Sequence, residues 1–468
     1  MNRADNNKKF IQLRTDYPVF VYESYSIELI DNEIVIRFSF NLNNRYSFYP
    51  ETRIAVKTGI SDVFFKKGGN LSDLNVFAFN IGMIELISYW KAACSPKVII
   101  KPHMLNAEQI RWWKKIYFHG LGEFFYLNGI DNPDQDTFME IIPEGTPVIC
   151  PQFELDETAA LVPIGGGKDS VVTLELLRTN QIDILPLILN PRGATIECIK
   201  AAGFTPADIF HISRTIHPQL LELNDKGFLN GHTPFSALLG FNTILASVLS
   251  GRKHIALSNE SSANESTVEG SSINHQFSKS FEFEEDFRHY VSRFISPQPN
   301  YFSFLRPLSE LQIADLFSRY VNYHDVFRSC NAGSKTDSWC GNCPKCLFTY
   351  SILSPFIGQE RLTTIFGKDL FSDQALTHYL RELTGIESVK PFECVGTVDE
   401  VNASLQQTIV SLDGKELPLL LDYYKQSDAF HSLVPGQFQS MLDAFIPEHN
   451  LEPRFELILK KALSWISM

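Results

Sequence analysis

At 468 residues, the chain is long enough for two or three domains around a substantial core. Hydrophobic residues at 44%, charged residues at 20%, 26 glycines and 24 prolines exclude a disordered, collagenous or coiled-coil chain. Against 41 lysines and arginines stand 54 aspartates and glutamates, and the net charge of -13 disfavours steering of DNA or RNA by the whole molecule.

The N-terminal segment MNRADNNKKFIQLRTDYPVF has basic residues but no apolar run behind them, so no secretory signal is read and a cytoplasmic protein is expected. Residues 24–40 alternate apolar and polar on either side of Asp31-Asn32, the period and turn chemistry of a β-hairpin. A short strand is expected at Val98 to Ile100. Asn106 is placed to cap a helix whose Ile110, Trp113 and Tyr117 share one face. Residues 1–150 therefore read as an N-terminal α+β domain without a catalytic motif, closed by a connector, DNPDQD followed by PEGTPVICP.

From about Thr158 strands and helices alternate: an apolar run Ala159 to Ile164, a helix from Ser170, a strand Ile184 to Leu189, a helix Thr195 to Ala202 and a strand Asp208 to Ile212. A further helix near Pro234 to Ser250 leads into a strand His254 to Leu257. The pattern predicts an α/β domain over residues 151–358, with a doubly wound, mainly parallel sheet and ligands beyond the carboxyl ends of its strands. The uncharged stretch Thr233 to Gly251 contains Pro234, Ser236, Asn242, Thr243 and Ser247, so a core helix is expected there and no membrane insertion. Residues 359–468 form a C-terminal extension of mixed helix and loop.

The first strand of this region runs into Gly165-Gly166-Gly167-Lys168-Asp169-Ser170 and then into a helical pattern. Consecutive glycines let the backbone turn tightly and present bare N–H groups to an anion, Lys168 adds a mobile positive charge, and Ser170 adds a hydroxyl at a helix start. A Walker loop is excluded, because Asp169 follows Lys168 and Val162 stands where the earlier glycine belongs. The dinucleotide fingerprint fails too, with Ser170 in place of its third glycine. The segment resembles the phosphate loop of the ATP pyrophosphatase (PP-loop) superfamily, Ser-Gly-Gly-x-Asp-Ser, with Gly165 replacing the first serine. That resemblance implies a Rossmann-like domain in which Gly165, Gly166, Gly167, Lys168, Asp169 and Ser170 hold ATP, cleaved between its α and β phosphates to adenylate a substrate oxygen. Asp169 either helps to place magnesium or serves as an ordinary helix-start carboxylate.

Four of the eight cysteines, Cys330, Cys340, Cys343 and Cys346, lie in one short stretch, CNAGSKTDSWCGNCPKC. In a chain without a secretion signal this clustering favours metal over disulfides, and four thiolates suit a structural zinc that clips a loop with on the order of 10 kcal/mol of local order. An iron–sulfur cluster is the competing reading. Cys94, Cys150, Cys198 and Cys394 are scattered. A PP-loop domain followed by Cys340-Gly341-Asn342-Cys343-Pro344-Lys345-Cys346 also resembles 7-cyano-7-deazaguanine synthase, a family about half this length.

Three polar segments extend the comparison: Asn259 to Asn264, Gly270 to Ser280, and Lys390 to Thr397. With the glycine and cysteine loops they resemble the MurL family of peptidoglycan-precursor epimerases over nearly the whole chain. The resemblance implies ATP- and magnesium-dependent inversion of the terminal L-glutamate of a small UDP-sugar peptide, UDP-MurNAc-L-Ala-L-Glu, with AMP and diphosphate as products. Asn259 and Glu260 follow the strand ending at Leu257, where a parallel sheet meets its ligands, and with Asn274, His275 and Lys279 are read toward substrate, while Lys168, Asp169, His275 and Cys394 are the catalytic candidates. Each has a plainer reading: His275 and Lys279, four apart, are acid-base and phosphate groups or a solvated helix face, and Cys394 is a proton-transfer thiol or an inert one. Two other classes stay open, another PP-loop adenylating enzyme that modifies a nucleobase or tRNA, and a nucleotide-binding module without turnover.

Overall fold

Eleven strands and a larger number of helices make an α/β protein in a computed structural model that describes residues 3–130, 134–149, 151–432 and 434–464. The strands are β1 Val19–Ile30, β2 Glu33–Leu42, β3 Tyr46–Phe48, β4 Glu51–Ala55, β5 Lys97–Ile100, β6 Glu140–Pro143, β7 Asp156–Pro163, β8 Asp183–Leu189, β9 Phe210–Arg214, β10 Arg252–Leu257 and β11 Asn300–Ser303. Two compact units result: Met1–Leu161 with Phe210–Ile255 and Ser272–Tyr301, and Val162–Ile209 with Ala256–Ser271 and Phe302–Met468. These units interleave along the chain. The chain passes between them five times, inside β7, β10 and β11, immediately before β9, and between Ser271 and Ser272. Of the connector expected to close residues 1–150, residues 131–133 and 150 lie outside the described residues.

In the first unit β1 and β2 form the expected hairpin. Asp31 and Asn32 both take positive φ, 49° and 61°, the turn that matches strand twist, and Ile30 pairs with Glu33. The order β9-β4-β2-β1-β5-β6 is antiparallel through β9, β4, β2 and β1 and parallel through β1, β5 and β6, while β7 and β10 pair in parallel. The strand expected from Asp208 starts at Phe210, because the Asp208 carboxylate accepts the Thr205 N–H and closes a short turn first.

Helix Asn75–Trp90 is buried nearly all round, and helix Phe235–Ser250 packs against it, which draws that segment into the first unit. By length and composition, Leu71–Trp90 is the one helical segment among the described residues able to cross a membrane, and 78% of its apolar window is buried inside the fold. Asn106 caps helix Ala107–Gly120 as expected, its side chain accepting the Gln109 N–H at 2.9 Å. Trp113 and Tyr117 are buried on that helix, whereas Ile110 is half-exposed and Ile116 takes the core position.

The second unit holds β8, the glycine loop, the cysteine loop and a helical C-terminal region. Helix Glu310–Ser318 packs on helix Lys168–Thr179 and on helix Pro344–Leu353, which in turn packs on helix Val398–Ser411. The described part of the last hundred residues is helix and loop, as the sequence suggests.

Candidate functional site

The charged centre of the second unit is built from the N-termini of three helices. Gly167, extended at φ −91° and ψ 170°, caps helix Lys168–Thr179, so the helix begins two residues before the expected Ser170. Ser170 consequently lies in the first turn, its Oγ donating to the Gly167 carbonyl at 2.9 Å. Gly166 sits at φ 83°, and a Cβ there would stand 3.1 Å from the backbone of Ala194 and Thr195, so conformation and space both require glycine. Its carbonyl accepts the Arg328 N–H at 2.7 Å, which ties the loop to the segment entering the cysteine cluster. The unbonded first-turn N–H groups of such a helix form an anion site.

Lys168 is only 4% exposed. Its Nζ donates to Asp169 Oδ1 at 2.5 Å and to Glu310 Oε2, and lies 5.9 Å from the Phe348 ring centre. Glu310 opens the second helix, and its backbone N–H donates to Glu400 Oε1 at 2.7 Å. Glu400 belongs to the third, where its Oε2 accepts the N–H and hydroxyl of the capping residue Thr397 at 2.7 and 3.0 Å. Gly396 makes this approach possible: a Cβ would fall 2.9 Å from Glu400 Oε2, 3.0 Å from Phe348 and 3.1 Å from Glu310 Cγ.

Burial by itself would push the Lys168 ammonium toward neutrality, but Asp169 and Glu310 outweigh it and raise its pKa above the ordinary lysine value. Burial pushes the Glu310 carboxyl up against the pull of Lys168, and Asp169, Glu260 and Glu400 push the same way. Glu400 is raised by burial, with Glu260 adding to it. Asp169 and Glu310 pair with the buried ammonium while Glu260 and Glu400 stand near Glu310, so a polyanion enters this acidic place favourably only with further positive charge.

Two of the three polar segments also belong to this unit. Asn259 Nδ2 donates to Ser303 Oγ at 3.0 Å, the buried Glu260 caps the turn Ser261–Asn264 through the Ala263 N–H, and Arg306 donates to the Glu260 carbonyl at 2.6 Å. Lys390 pairs with Glu265, and Glu393 accepts from Asn331 Nδ2 at 2.6 Å, which places the segment with the half-buried Cys394 beside the start of the cysteine loop.

Asn274, His275 and Lys279 belong to the first unit. The helical face expected for His275 and Lys279 does not form: Asn274 Oδ1 accepts the Gln276 N–H and turns the chain, and Phe277–Lys279 is a short 3-10 turn. His275 Nδ1 lies 2.5 Å from Glu123 Oε2, and His232 Nδ1 lies 3.3 Å from that same oxygen. Burial first, then the neighbouring His275, pushes His232 down to about 4.

Cys330, Cys340, Cys343 and Cys346 bring their sulfurs within 4.8 Å of one another and could hold a metal ion. Cys330 and Cys343 are 3.8 Å apart and Cys340 and Cys346 3.7 Å. Backbone N–H groups of Gly333, Asn342 and Cys346 donate to Cys330, Cys340 and Cys343, as suits thiolate sulfur. The Cys346 thiol and N–H together draw Cys343 below the ordinary thiol value. Within the same loop Asp337 accepts the Gly193 and Ala194 N–H groups at 3.1 Å, so the loop also caps helix Gly193–Ala201.

Sequence reading missed Glu310, Glu400, Glu123 and His232. Thr397-x-x-Glu400 carries a capping-box signal, which announces a helix start without saying what that start faces. The other three carry no periodicity or spacing that singles them out.

Comparison with known proteins matches residues 12–304 to the MurL N-terminal domain and residues 326–432 to the MurL C-terminal domain. Three relatives bear the name UDP-N-acetyl-alpha-D-muramoyl-L-alanyl-L-glutamate epimerase. The protein of Salinispora tropica is 39% identical over 68% of this chain and 70% of its own length. Those of Micromonospora sp. and Xanthomonas oryzae pv. oryzae are 33% and 34% identical, over 81% and 87% of this chain and 84% and 91% of theirs.

Proposed function

Because the chain belongs to the MurL family, we propose that it inverts the terminal L-glutamate of UDP-MurNAc-L-Ala-L-Glu, the reaction for which its relatives are named, and that ATP activates the carboxylate first. The observation that carries the ATP step is the buried Lys168, held charged at the head of the glycine loop.

An ionised carboxylate beside the α-carbon opposes loss of the α-proton, because the carbanion would form next to an existing negative charge. In the proposed sequence a carboxylate oxygen attacks the α-phosphorus of ATP, the bond to the β-phosphate oxygen breaks, and diphosphate leaves. The resulting acyl-adenylate has a neutral carbonyl and a more acidic α-proton. A proton is lost from one face and regained on the other, and water then cleaves the mixed anhydride to AMP and the D-glutamate carboxylate. Each 1.4 kcal/mol removed from the barrier is worth about tenfold in rate.

Gly165, Gly166, Gly167, Lys168, Asp169 and Ser170 are assigned to ATP. The N–H groups at the helix start and the Lys168 ammonium would bind its phosphates. The crowding of Asp169, Glu260, Glu310 and Glu400 supports magnesium as the added cation, with these carboxylates as its oxygen donors. Asn259 and Glu260 are assigned to substrate with Asn274, His275 and Lys279, and Cys394 to proton transfer. A cytoplasmic location would suit a nucleotide-linked substrate that reacts with ATP.

For the cysteine loop we favour structural zinc. Tetrahedral zinc–sulfur bonds place sulfurs roughly 3.8 Å apart, the spacing of 3.7 and 3.8 Å found here, whereas thiolates on separate irons of a cluster stand further apart. The ion would hold the segment that bonds Gly166 and caps helix Gly193–Ala201, so Cys343→Ser should lose the metal and weaken ATP binding together. The function is tested by incubating the protein with magnesium-ATP and UDP-MurNAc-L-Ala-L-Glu, then hydrolysing and resolving glutamate by chirality. D-Glutamate with matching AMP is expected; AMP without inversion, or inversion without AMP, refutes the proposal.

A further inference from the structure

Three residues in the first unit carry chemistry that the nucleotide loop and the cysteine loop do not use. Glu123 comes from helix Gly122–Leu127, His232 from the loop before helix Phe235–Ser250, and His275 from the turn after Asn274. Glu123 is 8% exposed, and the imidazole side chains of His275 and His232 are 12% and 21% exposed. Both imidazoles point Nδ1 at one oxygen, Glu123 Oε2, their ring centres are 4.6 Å apart, and one donor atom from each residue lies within 4.8 Å of the others.

A carboxylate that only needed an orienting hydrogen bond would be served by one histidine. Two imidazole nitrogens converging on one carboxylate oxygen is the arrangement of ligands around a shared centre. Bonds of roughly 2.0–2.1 Å to nitrogen and 2.0–2.2 Å to oxygen set tetrahedral donors roughly 3.3–3.5 Å apart; the 3.3 Å between His232 Nδ1 and Glu123 Oε2 meets this, and the His275 imidazole, at 2.5 Å from that oxygen, would draw back by about 1 Å to admit the ion. Neighbouring contacts hold the segments that carry the two histidines. Lys91 donates its buried ammonium to the carbonyl of Gly231, the residue before His232, and His119 stacks on Phe277 at 4.9 Å just beyond the His275 turn.

We propose that Glu123, His232 and His275 form a divalent metal site of the zinc class, separate from the four-cysteine loop. Two imidazoles and a carboxylate favour zinc, cobalt or iron over magnesium, which prefers oxygen donors, so this is not the place for the cation that accompanies ATP. Three protein ligands leave at least one position for an outside oxygen donor, in contrast to the closed four-sulfur set. The ligand it would take is an anionic oxygen group, a carboxylate or phosphate.

The test is metal stoichiometry and spectroscopy on the full chain, stripped with chelator under reducing conditions and reloaded with zinc or cobalt. Wild type should bind about two zinc equivalents, one sulfur-ligated and one nitrogen- and oxygen-ligated by X-ray absorption. Glu123→Gln and His275→Asn should each retain the sulfur-ligated equivalent with its cobalt–thiolate absorption and lose the other, and circular dichroism identifies any variant that misfolds. A single, wholly sulfur-ligated equivalent in wild type overturns the proposal whatever the variants do, as does a folded Glu123→Gln that keeps both.

Discussion

Each unit buries one lysine almost completely, and the two end in opposite electrostatic states. Lys168 and Lys91 are 4% and 6% exposed. Lys168 meets the carboxylates of Asp169 and Glu310, and its pKa is raised. Lys91 donates to a carbonyl oxygen of Gly231, has no carboxylate within ion-pair distance among the described residues, and is pushed by burial down to about 8. Burial alone therefore drives a lysine toward neutrality, and it takes positioned carboxylates to make a buried lysine a fixed cation. The carboxylates that do this for Lys168 come from the starts of separate helices, so the charge at the glycine loop is a product of tertiary structure.

The largest effect is expected where that cation is removed. Lys168→Met should lower AMP formation by at least about 100-fold, as losing a preorganised charge at a reacting phosphate does, while Lys91→Met should leave AMP formation within about twofold. Equal losses in a turnover assay would erase the distinction between the two lysines. Removing the partner instead of the cation sharpens it: Glu310→Gln takes away one of the two carboxylates that raise the Lys168 pKa, so the pKa should fall and any alkaline limb of AMP formation should move to lower pH than in wild type. An unchanged pH profile would show that Asp169 suffices.

Gly396→Ala forces a methyl against Glu400 and Glu310 and should cost roughly 1–3 kcal/mol in thermal or urea unfolding, with weaker ATP binding. The Lys91 contribution is visible as pH dependence. The unfolded chain keeps this proton up to about 10.5 and the folded chain releases it near 8, so between these values the unfolded state binds more protons and stability rises with pH. Wild type should gain at most about 3 kcal/mol relative to Lys91→Met between pH 8 and pH 10.5, and a constant difference would contradict the shift. Gly165→Ser should change least, within about 0.5 kcal/mol, because nothing lies within 4 Å of a Cβ built there. A fall in ATP affinity in that variant would mean that the loop has adapted to the missing hydroxyl.

How legible the molecule was in its sequence follows from how local each feature is. The Asp31-Asn32 turn, the Asn106 cap, the glycine loop and the cysteine spacing are each written within a few residues, and the hairpin, the capped helix, the strand–loop–helix unit and the sulfur cluster are all present. Lys168 and Glu310 are 142 residues apart, Glu310 and Glu400 90, and Glu123 and His275 152, so no window of sequence contains either constellation. Boundaries moved where a side chain took over a backbone group, as with Asp208 before β9 and Asn274 before the 3-10 turn. The interleaved units were illegible for a similar reason: helix Phe235–Ser250 reads as one layer of the central α/β region, and its partner, helix Asn75–Trp90, lies far earlier in the chain.

The most direct measurement is proton NMR of the glutamate α-position of UDP-MurNAc-L-Ala-L-Glu in heavy water, with enzyme and magnesium, in the presence and absence of ATP. If adenylation at the glycine loop precedes proton loss, deuterium enters the α-carbon only with ATP, and an ATP analogue with a non-cleavable α,β-bridge binds without permitting exchange. Exchange at equal rates with and without ATP would contradict the account, because the α-proton would then be leaving from the free carboxylate.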